Sequence, residues 1–85
     1  MSSHPTNFQG DVVLAIKQAI EGRLPGSEAR VAGAGGHYTI DVISTMFTGL
    51  GMLESQRLVY SAIAHLMQGD LAPVHAVDRL TTRAP

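Results

Sequence analysis

Ala29-Arg30-Val31-Ala32-Gly33-Ala34-Gly35-Gly36-His37-Tyr38-Thr39-Ile40-Asp41-Val42-Ile43 is the stretch on which the fold turns. Residues 29–32 are short and alternating, and residues 38–43 are rich in β-branched and aromatic side chains, both strand signals. Between them Gly33-Ala34-Gly35-Gly36 breaks the pattern. The stretch therefore reads as a β-hairpin whose four-residue loop is longer than the tightest turns. In such a hairpin Asp41, flanked by Ile40 and Val42, points from the sheet to solvent.

Upstream of the hairpin, Val12, Val13, Ile16, Ala19 and Ile20 recur at helical spacing. Asp11 suits the electropositive start of that helix, as cap or first-turn residue, and Leu24-Pro25-Gly26 ends it. Downstream, Ser44 to Gly51 carries Met46, Phe47 and Leu50 and reads as a packed irregular turn. A second amphipathic helix follows over Leu53 to Met67, with Leu53, Leu58, Val59, Ala62, Ile63, Leu66 and Met67 on a broad apolar face. Gly69 and Pro73 stop it. Val74 to Thr81 supplies a third strand. The order is α-β-β-α-β, an α+β domain with one three-stranded sheet covered by helices. Residues 1–8 are polar, contain Pro5 and read as a flexible leader, leaving 9–85 as the domain.

Length and composition narrow the function. Eighty-five residues make one small core, and an enzyme cleft of ordinary size would consume much of it. The formal net charge is −1, without the basic excess of a dedicated nucleic-acid binder. There is no cysteine, which excludes disulfides, thiolate catalysis and Cys-based zinc sites. Any metal ligand must be His, Asp or Glu. Met1-Ser2-Ser3-His4-Pro5 lacks the features of a signal peptide and no apolar run approaches membrane length, so a cytoplasmic protein is expected.

The glycine loop carries no phosphate-binding signature. No Gly-Lys-Ser/Thr follows it, and a strand rather than a helix comes next. It also fits the Gly-x-x-Gly of a KH domain, but that loop joins two helices and this one joins two strands. Serine elbows, His-Glu-x-x-His and suggestively paired carboxylates are all missing, so an enzyme is not expected. Of the four histidines, His4 lies in the leader and His65 flanks the apolar face of the second helix. His37 stands where the loop enters strand two, and His75 opens strand three. A single histidine at a strand end is more often structural than ligating. Two at the ends of sheet strands are more informative, because adjacent strands lie only ~5 Å apart.

Four segments in order, Gly36-His37-Tyr38-Thr39-Ile40-Asp41-Val42-Ile43-Ser44, Phe47-Thr48-Gly49-Leu50, Arg57-Leu58-Val59-Tyr60 and Val74-His75-Ala76-Val77, resemble the BolA-like family. The resemblance spans about residues 11–82 and implies a class II KH-like fold, which agrees with the α-β-β-α-β order. It also implies a non-enzymatic partner of a monothiol glutaredoxin, sharing a [2Fe-2S] cluster that glutaredoxin and glutathione hold through thiolates. His75 would be this chain's ligand and His37 the second, weaker candidate. A role in iron–sulfur trafficking or iron and redox regulation would follow, with no membrane association and a monomer or weak homodimer alone.

The alternative implied by the resemblance is a DNA-binding regulator of stress response and cell morphology, using Arg57, Arg79 and Arg83. Here the chain departs from the family. Glu54-Ser55-Gln56-Arg57 replaces a usually basic segment, and a carboxylate repels phosphate where several cations are needed. The missing charge favours cluster and partner binding over DNA.

Overall fold

The computed structural model of the chain describes residues 10–85, so the leader and His4 lie outside the described residues. Helix α1 (Val12–Arg23) is followed by strands β1 (Glu28–Ala34) and β2 (His37–Ile43). A 3-10 turn (Thr45–Phe47), helix α2 (Met52–Ile63) and a second 3-10 turn (Ala64–Leu66) lead to strand β3 (Ala76–Arg83). The expected α-β-β-α-β order holds. The sheet order is β1-β2-β3, with β1 antiparallel and β3 parallel to the central β2.

The alternation in β2 divides the molecule. Tyr38, Ile40 and Val42 face the helices and are buried with Ile16, Ile20, Val59 and Ile63. Each fully buried isoleucine contributes roughly 1.5–3 kcal/mol of apolar burial. The helices cover one face of the sheet only. Arg30, Thr39, Asp41, Arg79, Thr81 and Arg83 line a shallow groove on the other, polar face. Asp41 stands there as expected, half-buried, accepting from Thr81 Oγ1 at 2.6 Å and from Arg83 Nη2 at 3.4 Å.

Local chemistry accounts for the ends of the elements. The Asp11 carboxylate caps α1 by accepting the Leu14 N–H at 3.1 Å. The second helix is shorter than the expected 53–67, giving way to the 3-10 turn after Ile63. Leu53, placed on its apolar face from spacing, is 61% exposed in the first turn, before the helix reaches the core. The third strand runs 76–83 rather than 74–81, because Ala72 and Val74 are drawn into the core before the ladder begins.

The hairpin is tighter than its composition suggests. The ladder runs through Gly33 and Ala34, which pair with Tyr38 and His37, so only Gly35 and Gly36 form the loop. Both have positive φ, 64° and 87°, as a two-residue turn that matches the sheet twist requires. Gly33 makes this possible. At its φ of +134°, a Cβ would fall 2.2 Å from the His37 carbonyl oxygen and 2.8 Å from Tyr38 Cα.

The outer edge of β1 is tied to α1. Ala29 donates its N–H to Glu21 Oε2 at 3.0 Å, and its carbonyl accepts from Lys17 Nζ at 2.8 Å. Lys17 and Glu21 also pair with each other at 2.8 Å. Two backbone groups of the edge strand, Ala29 N–H and C=O, are thereby satisfied. The Ala29 N–H first, and then Lys17, hold the Glu21 carboxyl below its ordinary value of 4.5.

Three outcomes follow. Gly33→Ala should lower stability in urea by about 2 kcal/mol or more, since neither φ nor space suits a side chain. Gly22→Ala, in α1 with nothing within 4 Å of the added carbon, should raise it by about 0.5 kcal/mol. A neutral Gly33→Ala would contradict the turn geometry. For Glu21, a depressed carboxyl stabilises the fold above its unfolded pKa, and that contribution is lost as pH falls through the lower folded value. The urea midpoint should drop below about pH 4.5 in wild type, with a shallower drop in Glu21→Gln.

Candidate functional site

The candidate site is built where the third strand meets the tip of the hairpin. Ala72, Pro73 and Val74 are buried, and the Val74 N–H donates to the Leu66 carbonyl at 3.0 Å. Val74 is held inward, and His75, just ahead of the strand, is exposed. The His75 and Ala76 N–H groups both donate to the carbonyl of Gly36, at 2.8 and 2.9 Å. The chain before β3 is thus fastened to the two-residue turn, and Ala76 starts the parallel ladder opposite His37. His75 stands one residue ahead of the strand it was expected to open.

This junction brings the two strand-end histidines together. The His37 and His75 ring centres are 5.6 Å apart, with the planes tilted by 58°. Both rings lie at the surface. A ring bound through one nitrogen at ~2.1 Å has its centre ~3 Å from the metal, so two rings on one metal lie about 5–6 Å apart. The spacing suits two imidazole donors to a single metal ion. Among the described residues no group of three or more His, Asp or Glu side chains is placed to hold a metal ion. Within this chain the pair amounts to two imidazole donors.

A carboxylate completes the geometry. Asp78 Oδ1 lies 3.1 Å from His37 Nδ1, with both side chains about half exposed. It arrives there through a β-bulge: Tyr38 pairs with Val77 and Thr39 with Arg79, leaving Asp78 as the extra residue. The bulge has a packing cause. It sets Leu80 opposite Ile40, against the core, where a regular ladder would place Arg79. Sequence reasoning did not single out Asp78. The signal was present, because Val77 and Leu80 both pack inward although three positions apart, which a two-residue period forbids without an inserted residue.

The remaining candidates fall elsewhere. His65 is exposed on the 3-10 turn after α2. Arg57 lies on α2 beside Arg23 and Glu54, whereas Arg79 and Arg83 line the groove on the opposite, open face of the sheet with Arg30. Two of the three arginines of the DNA-binding alternative share a face and the third does not. Arg83 is engaged with Asp41, and Arg30 Nε with Glu28 Oε2 at 3.0 Å. No helix among the described residues is long and apolar enough to cross a membrane.

Comparison with known proteins supports the same fold. A BolA homologue from Coxiella burnetii is 35% identical, with a TM-score of 0.74 over 89% of this chain and 94% of its own. The solution structure of mouse BolA1 is 28% identical, with a TM-score of 0.66 over 100% and 74% of the two chains. BolA1 from Arabidopsis thaliana, 17% identical, has a TM-score of 0.74 over 91% and 95%, a likeness of fold. A search of curated protein sequences gives no significant match. The profile of the BolA-like protein family matches residues 7–85, which include the hairpin, both histidines and the bulged strand. With that match and the Coxiella homologue at 35% identity, the chain belongs to the BolA-like family.

Proposed function

We propose that the protein is a non-enzymatic interaction module that lends His75 and His37 to a [2Fe-2S] cluster shared with a monothiol glutaredoxin and its glutathione. The observation that carries this reading is the pair of exposed imidazoles with ring centres 5.6 Å apart, held by the Gly36 carbonyl. A chain without cysteine has no thiolate to offer iron, and these two imidazoles are the nitrogen donors it brings together. The pair offers two donors and the partner would supply the thiolates. Replacing thiolate by neutral imidazole on one iron lowers the negative charge of the cluster and raises its potential.

This chain's residues have defined tasks in that complex. The buried Ala72-Pro73-Val74 segment and the Gly36 carbonyl fix the backbone that carries His75. The hairpin ladder fixes His37 opposite Ala34 and Ala76. Because the two backbones are anchored to each other, little ordering remains to be done on binding. DNA binding has weaker support, since Asp41 and Glu28 engage two of the three arginines on the open face.

Mixing the apo protein with a monothiol glutaredoxin, iron, sulfide and glutathione should yield a heterodimer whose visible spectrum differs from that of the glutaredoxin homodimer. His75→Ala should abolish that difference, and His37→Ala should weaken cluster retention. An unchanged spectrum in His75→Ala would refute the ligand assignment. Glutaredoxin binding without cluster retention in wild type would reduce the protein to a scaffold. Duplex DNA binding at low salt that falls steeply as salt rises would instead favour the regulator reading.

A further inference from the structure

We infer that Asp78 is a positioning residue for His37, holding its ring as the Nδ1–H tautomer so that the Nε2 lone pair faces outward as the donor. The inference rests on the proposed role of the two histidines. A neutral imidazole carries one N–H and one lone pair, and an ionised carboxylate can only accept. With Asp78 Oδ1 at 3.1 Å from Nδ1, the proton belongs on Nδ1 and the lone pair on Nε2. Histidines that bind metals commonly pass their other N–H to a carboxylate, which fixes the tautomer, orients the ring and raises its basicity as a ligand.

The backbone is arranged for this contact. In an unbulged ladder residue 78 would stand opposite Thr39, two residues along the strand from His37. The extra residue instead places Asp78 between the Tyr38 and Thr39 pairings, with its carboxylate on His37, while Arg79 takes the place opposite Thr39. Bulges next to functional sites characteristically re-aim a side chain in this way. The pair is about half exposed on both sides, a setting in which ion pairs add little to stability. Its consequence lies in which nitrogen of His37 is available.

The test reads the tautomer directly. In the apo protein at pH 8, long-range proton–nitrogen spectra of the imidazoles should show His37 with its proton on Nδ1. Asp78→Ala should move the proton to Nε2, whereas Asp78→Asn, whose amide oxygen can still accept, should keep it on Nδ1. The urea midpoint of both variants should stay close to wild type. In the complex with a monothiol glutaredoxin, Asp78→Ala should lose cluster to a chelator about tenfold faster than wild type, with Asp78→Asn in between. A wild-type proton on Nε2, a tautomer unmoved in Asp78→Ala, or wild-type cluster retention in that variant would each overturn the inference. The tautomer is read without metal and stands or falls on its own. Failure of wild type to take up any cluster would strike the ligand reading alone.

Discussion

Two N–H groups converging on one carbonyl hold this site together. The Gly36 oxygen accepts from His75 and from Ala76, and through those bonds the third strand is joined to the turn of the hairpin. Gly36 is buried, so an unmet carbonyl there would carry the full cost of a desolvated acceptor. The fastening in turn depends on the two-residue turn, which only left-handed backbone at Gly35 and Gly36 allows. Turn, fastening and parallel ladder form one unit. Its product is a pair of imidazoles, far apart in the sequence, standing side by side.

Much of the architecture was legible because the periodicities were clean. Ile16 and Ile20 at helical spacing, and Tyr38, Ile40 and Val42 at strand spacing, are the residues that fill the core. Boundaries were less legible wherever tertiary packing overrode local pattern. Leu53 looked like a core position by spacing yet is exposed, because α2 reaches the sheet only from Ser55 and Val59 onward. The glycine-rich loop looked four residues long because composition does not reveal that Gly33 stays in the ladder while approaching Tyr38.

The candidate site divides in the same way. His75 and His37 could be named from their places at strand ends and from family resemblance. Their proximity could not, since it depends on the parallel pairing of β2 with β3 and on the start of that pairing at Ala76. Asp78 was overlooked because a bulge is decided by which neighbour goes into the core, Leu80 or Arg79, and that competition is settled only in three dimensions. The open face of the sheet shows the reverse. Arg79 and Arg83 were conspicuous in the sequence, but Arg83 is engaged by Asp41 and the neighbouring Arg30 by Glu28.

The central claim is that nitrogen from this chain binds iron held by another polypeptide. Pulsed electron paramagnetic resonance on the reduced heterocomplex, with only this chain's histidines labelled with nitrogen-15, tests it most directly. The account predicts strong couplings to two imidazole nitrogens that change from the nitrogen-14 to the nitrogen-15 pattern on labelling. A cluster spectrum indifferent to that label, with no histidine nitrogen coupled to the iron, would contradict it.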